Sequence, residues 1–391
     1  MTLPAVLVTD GQLRPSLAVA RSLGRAGYRV YVCSTRRRSL AGASRATVAE
    51  AQVPDPMTRP DAFADAVAGL IRQWGIDVLM PISEESLLAL LPAADRMGVR
   101  LPFPSLEIFR RAADKEYVTA VAATLGIAVP EQVVVQGRRD IPAPNDGSLR
   151  FPLVVKPARS VAGDGSNRAK LGVAYADDRA ELDQLVAALP DSAFPLLLQQ
   201  RIDGPGIGVF LLIWNATLVA QFAHRRIREK PPSGGVSVLS ESIDADPEAV
   251  RQSSALLTAL DWRGPAMVEY KQDRRTGTLY LMEINGRFWG SLQLAVDAGV
   301  DFPALLVAAA LDRQPEPVAK YDVGTRTRWW WGEVDHLIAR LRPRGRLPGL
   351  REGAGAVRDF LLPGRGVRNE VLRLSDPWPF VRESLEWLRG R

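Results

Sequence analysis

Cysteine and histidine are nearly missing from this 391-residue chain: it has one cysteine, Cys33, and two histidines, His224 and His336. A single thiol allows no intramolecular disulfide and no cysteine-rich zinc site. Two histidines far apart in sequence make no multi-histidine metal centre. A bound metal would need oxygen ligands, which points to Mg²⁺ or Mn²⁺. Long apolar runs are missing as well. No stretch approaches the ~20 residues of a membrane span. The first residues, MTLPAVLVTDGQ, lack the basic flank of a signal peptide. With one unpaired thiol, these absences lead us to expect a cytoplasmic protein without a membrane partner. Lysine is absent from Gly324 to Arg391, where arginine is dense. What is present excludes global disorder: 47% hydrophobic and 24% charged residues. The net charge of +6 admits nucleic acid. Arginine serves phosphates and carboxylates equally well, so nucleic acid is not the favoured partner.

The N-terminal hundred residues alternate apolar runs with amphipathic stretches. Residues 3–8, 29–33 and 77–81 read as buried strands, and 15–26 and 61–74 as helices. That order predicts a parallel, Rossmann-like sheet. The first turn, DGQLRPS, is not G-x-G-x-x-G, so a dinucleotide site has little support. Ser105 and Asp114 have the chemistry of N-caps for two successive helices. Further on, strand-like runs at 151–156, 170–175, 195–202, 207–214, 217–223, 265–271 and 278–284 are interrupted by helical patterns at 177–188 and 246–259. These imply an α+β region, closed by apolar helices at 290–298 and 303–312.

The strongest chemical signal is Glu269 together with Glu283-x-Asn285-x-Arg287. Two apolar runs around Thr276-Gly277 make a hairpin. Residues 283, 285 and 287 then share one strand face, with Glu269 opposite. Two carboxylates and an amide oxygen suit a hard divalent cation, and Arg287 can clamp a phosphoryl oxygen. A second signal is Lys156 in FPLVVKPA, an ammonium at the end of an apolar strand. The segment after it, Ser160 to Ser166, contains Gly163 and Gly165, and such a loop can bring N–H groups onto phosphates.

In this order, these pieces resemble the ATP-grasp superfamily over roughly residues 1–312. The resemblance implies a Rossmann-like pre-ATP-grasp domain at 1–104, an ATP-grasp domain of linker helix and two-subdomain nucleotide clamp at 105–314, and a C-terminal extension, 315–391, packing on the body. The fold class is thus α/β with α+β. By resemblance, Lys115 in DKEYVTAVAATLGIAVP is the first ATP lysine and Lys156 the second. Ser160, Gly163, Gly165 and Ser166 belong to the phosphate loop. LLLQQRIDG at 196–204 is similar to the hinge that meets adenine, with Gln199, Gln200, Ile202 and Asp203 as the nucleotide contacts. Glu269, Glu283 and Asn285 are similar to the metal ligands. Arg287 is similar to the arginine after E-x-N in biotin carboxylase and the carbamoyl-phosphate synthetases. The chain departs from the pattern at the hinge, where Gln199-Gln200 replaces a glutamate. It departs again where Gly206 or Gly208 replaces the acidic residue for ribose; Asp203 is the substitute.

The segment AHRRIREKPPSGG falls where the family lines the acceptor side of its cleft. Arg226 and Arg228, two apart, are expected to face one way and hold a carboxylate or acyl phosphate. His224 is a candidate base. The tryptophans at 329–331 are expected to pack the tail onto the body. The expected activity is an ATP- and Mg²⁺-dependent, ADP-forming carboxylate–amine ligase acting on an amino acid or similar small molecule. The alternatives are carboxyphosphate or carbamoyl-phosphate chemistry, and a nucleotide-binding module without turnover. Oligomeric state is open, a homodimer included.

Overall fold

The alternation in the first hundred residues becomes a parallel sheet ordered Thr47–Gln52, Arg29–Ser34, Ala5–Val8, Val78–Met80. All four residues of Ala5–Val8 are buried, as a central parallel strand requires. Helix Arg14–Arg25 starts with Pro15 near its N-terminus and buries Leu17, Ala20 and Leu23. Helix Pro60–Trp74 ends at Gly75, whose φ of 59° gives the left-handed C-cap that glycine adopts without strain. The computed structural model describes residues 3–144, 147–162, 168–232, 235–342, 349–364 and 366–390. Among these, no helix is long and apolar enough to cross a membrane.

Ser105 and Asp114 cap successive helices, Leu106–Ala113 and Lys115–Thr124; each side chain accepts a backbone N–H three residues on. Lys115 N also donates to Ala158 O at 2.9 Å, pinning the second helix to the strand Leu153–Pro157. That strand lies in an antiparallel sheet ordered Gln132–Val135, Leu196–Gln200, Leu153–Pro157, Ala174–Ala176. Val135, Leu153, Val155, Leu196 and Leu198 pack outward against Leu182 and Val186 of helix Arg179–Ala188. Strand alternation therefore turns Val154, Lys156 and Gln199 to the inner face.

The largest sheet runs Leu279–Asn285, Gly264–Gln272, Gly206–Trp214, Thr217–Lys230, Val236–Ser242, Arg326–Arg328, Arg368–Asn369. All nine residues of Gly206–Trp214 are buried, with cores on both faces. Strand Thr217–Lys230 is longer than the apolar run 217–223. It carries on through the basic segment to Lys230, with irregularities in its pairing around Arg228.

The segment after Pro315 supplies two strands and also ties the molecule together. Arg21, buried on helix Arg14–Arg25, donates to Asp376 Oδ2 at 2.8 Å and to the carbonyls of Glu370 and Val371 at 3.1 and 3.0 Å. Asp376 also accepts from Ser44 Oγ at 2.7 Å. Trp331 stacks on Trp387 at 4.0 Å between centroids, and Arg14 lies 4.0 Å over Trp329. Trp329 thus packs the tail on the body, as expected, whereas Trp331 stacks within the tail, as does Trp330, edge-on to Phe360 at 5.6 Å.

Candidate active site

The inner faces of the second and third sheets enclose a cleft of about 640 Å³. Its floor is the hairpin. Glu269 pairs with Glu283 on one rung, and Met267 with Asn285 on the next but one. Residues 283, 285 and 287 share a face. Asn285 Nδ2 donates to Glu283 Oε1 at 3.0 Å, and Arg287 Nη2 donates to Asn285 Oδ1 at 3.2 Å. From the linker helix, Lys115 Nζ reaches within 3.4 Å of Glu283 Oε2 and donates to Ser160 Oγ at 2.9 Å. Lys156 Nζ donates to Met282 O at 3.4 Å. Two ammonium groups and two carboxylates from three segments thus meet at one end of the cleft.

Burial shapes their charges. Lys156 is pushed down to about 8 by burial, with the Lys115 charge adding to the effect and Glu283 and Glu269 opposing it. Burial would raise Glu283, but Lys115 and Lys156 pull it down to about 2, so it stays ionised. Glu269 is raised by burial, against the pull of Arg226, whose Nη2 lies 2.6 Å away. Two neighbouring carboxylates whose environments drive them apart mark a site where charge is being managed. The donor set fits a hard divalent cation: two carboxylates face each other across one rung, beside an amide oxygen. Among the described residues there is no group of three or more His, Cys, Asp and Glu that could hold a metal ion. An ion here would therefore need Asn285 and substrate oxygens as well.

The structure separates Arg226 from Arg228. Arg226 lines the cleft, held between Glu269 and Glu229 at 2.6 and 3.1 Å. Arg228 faces the other way. Its Nε lies 2.5 Å from Glu333 Oε1, and its Nη1 donates to Asp359 O at 2.8 Å. The cause is an irregularity in the ladder: Arg226 pairs with Ser240 but Arg228 with Leu239, so the period of two breaks between them. The expectation that both hold substrate is corrected for Arg228, which completes a buried ion cluster with Glu333 and Arg328. His224 is no base. Burial, with Arg226 nearby, drives its pKa down to about 3, and it packs edge-on to Phe210.

At the other end, Val154, Tyr175, Ile202 and Met282 form an apolar slot. Gln199 and Gln200 both line the cleft; Gln199 is buried, and Gln200 has an exposed side chain and a main-chain N–H that donates to Glu131 O at 2.8 Å. Asp203 stands at the mouth, exposed, 3.5 Å from Arg274. At Gly206 an added Cβ would lie 3.4 Å from Arg226 Cδ. Gly163, Gly165 and Ser166 lie outside the described residues.

Glu84 was missed. It opens helix Glu84–Leu90 beyond the strand Val78–Met80 and shares a recess with Lys115, Ser160, Glu283, Asn285 and Arg287. Burial raises its pKa, against the charges of Arg287 and Lys115. The signal available in sequence was its place, a carboxylate just past the carboxyl end of a parallel strand, where open α/β sheets bind ligands.

Residues 192–332 match the family model described as ATP-grasp in the biosynthetic pathway with Ter operon. The chain is 25% identical over 293 residues to the carbamoyl phosphate synthase large chain of Thermomicrobium roseum, covering 66% of this chain and 24% of that one. It is 32% identical over 171 residues to D-alanine–D-alanine ligase B of Xanthomonas campestris, covering 40% of this chain and 51% of that one. The chain thus spans a quarter to a half of the length of these curated relatives. Among solved structures, the L-amino acid ligase from Bacillus licheniformis superposes with a TM-score of 0.63 at 20% identity, over 81% of this chain and 76% of that one.

Proposed function

We propose that this chain, an ATP-grasp protein by family match and fold, is an ADP-forming carboxylate–amine ligase. The observation that carries the reading is the convergence of Lys115, Lys156, Glu269, Glu283, Asn285 and Arg287 at a cleft that also has the apolar lining of Val154, Tyr175, Ile202 and Met282. The two similar ligases named above support the amide-forming branch. Residues 1–104, 105–314 and 315–391 serve as pre-ATP-grasp domain, nucleotide clamp and buttress, and the reaction is assigned to the cytoplasm.

The residues divide the work. The apolar slot takes the adenine against Gln199 and the hinge backbone. Lys115 and Lys156 hold phosphate oxygens, with Ser160 beside Lys115. Glu269, Glu283 and Asn285 hold Mg²⁺ or Mn²⁺, which when bound neutralises charge on the β- and γ-phosphates. Arg287 steadies the transferring group. A substrate carboxylate oxygen attacks the γ-phosphorus, the bond to ADP breaks, and an acyl phosphate forms. An amine nitrogen then attacks the acyl carbon. Inorganic phosphate leaves, and the nitrogen's proton passes to solvent. Such chemistry needs positioning and charge compensation more than a general base, which suits a site whose histidine is held neutral.

A screen of amino acids and small carboxylates for ADP release, with hydroxylamine as the amine, tests the reading. A ligase yields a hydroxamate from the trapped acyl phosphate; if no carboxylate gives one, the assignment fails. Arg226→Ala should cost roughly ten- to a hundredfold in kcat/KM for the carboxylate, the worth of one charge-assisted contact, with ATP binding retained.

A further inference from the structure

Gln199 is 2% exposed, and its side chain borders the apolar slot. A carboxamide has a donor end and an acceptor end, so which end faces the slot decides what it selects there. A chain of hydrogen bonds behind Gln199 fixes that choice. Thr119 Oγ1 lies 2.8 Å from Lys115 O and 3.0 Å from Glu116 O, two groups that only accept. Its single hydrogen therefore points to them. Towards Gln132, 2.7 Å away, Thr119 can only accept, so Gln132 turns its Nε2 to the helix. The Oε1 of Gln132 is then the atom 2.8 Å from Gln199, and Gln199 must present Nε2 to it. What remains for the slot is Gln199 Oε1, an acceptor. The rung that pairs Gln199 with Gln132 holds the two amides side by side.

We infer that Thr119 and Gln132, neither of which lines the cleft, are positioning residues that set the base specificity of the nucleotide site. They hold Gln199 with its oxygen toward an exocyclic amino group. A 6-aminopurine supplies the hydrogen that this oxygen accepts. A 6-oxopurine would set lone pair against lone pair in a place too buried for water to repair it. The inference rests on the proposed nucleotide site and adds to it the relay that orients its reader. A glutamate at position 199 would need no such relay, because both its oxygens accept. A glutamine does, and the sequence supplies one from each of two neighbouring segments.

The test is the ratio of ATP to inosine triphosphate affinity, measured by calorimetry on the full chain with Mg²⁺. The wild type should favour ATP. Gln132→Met removes the acceptor, lets Gln199 turn over, and should lower the ratio by about tenfold, the value of one such hydrogen bond. Thr119→Val frees Gln132 to invert and should lower it too, giving a second reading if the first variant folds poorly. Gln132→Glu keeps an acceptor for Gln199, and Thr119 can swing its hydrogen to the new carboxylate, so the preference should be rescued. A merely structural role would weaken both nucleotides alike and leave the ratio unmoved. ATP binding with the same ratio in wild type, Gln132→Met and Thr119→Val overturns the relay alone. A wild type that binds neither nucleotide overturns the nucleotide site, and the relay with it.

Discussion

Lys156 makes nucleotide binding sensitive to pH in a direction that can be worked out. With its pKa lowered to about 8, the amine is about 90% charged at pH 7 and about 10% charged at pH 9. Only the ammonium form attracts a phosphate oxygen. Binding therefore favours the protonated lysine, and above pH 8 it must draw a proton from solvent. Affinity for Mg-ATP should be flat with respect to this group below pH 7. It should then fall by up to about tenfold per pH unit above 8. The total available is the worth of the contact, about 1.5–3 kcal/mol for a charge-assisted hydrogen bond, or roughly ten- to a hundredfold in Kd. Lys156→Met should lose that affinity at pH 7 and show no slope between pH 7 and 9.5. Lys156→Arg should lose the slope while keeping part of the affinity, because a guanidinium stays charged throughout. Titration calorimetry at pH 8.5, in buffers of different ionisation enthalpy, reads the proton uptake directly. Normal wild-type affinity with no proton uptake at that pH would refute the argument, as would a Lys156→Met protein that binds ATP as tightly as wild type.

Two further outcomes follow from the same geometry. Glu283→Ala should yield a folded protein with ADP release nearly abolished, since losing metal-based charge stabilisation removes several kcal/mol from catalysis; thermal melting and a coupled ADP assay check both halves. Arg228→Ala should leave Glu333 still paired with Arg328 and cost roughly 1.5–3 kcal/mol of stability in urea unfolding, the worth of a lost hydrogen bond to a charged group, yet leave the carboxylate KM unchanged; a raised KM would restore Arg228 to the substrate site.

The hairpin was legible because two apolar strands about a Thr-Gly turn leave little freedom of register, and period two then places residues 283, 285 and 287 on one face. Lys156 was legible for the same reason: Leu153 and Val155 claim the core and turn the lysine inward. Arg228 was misread because alternation assumes an unbroken ladder, and the irregularity after Arg226 leaves no mark in composition. Strand Val236–Ser242 is hard to see in sequence because it is rich in serine and takes part of its pairing from the distant strand Arg326–Arg328; Ser242 Oγ likewise donates to Asp322 O at 2.7 Å. Glu84 and Gln132 share another difficulty. Each reaches its neighbours from a separate stretch of chain, and nothing local says that these will be Arg287 in one case and Gln199 in the other.

The clasp between Arg21 and Asp376 has a bearing on synthesis. A ribosome finishes the first parallel sheet hundreds of residues before it adds Asp376. Until then the Arg21 guanidinium, 6% exposed in the finished protein, has no carboxylate to meet. A nascent N-terminal unit must keep that face wet or loosely packed, since a buried unpaired cation is too costly to hold. The polar contacts of helix Arg14–Arg25 are therefore complete only once the segment carrying Asp376 has been made. Cells that stall or truncate the message upstream of residue 376 would accumulate a half-closed product whose first helix is the natural target for chaperones and proteases.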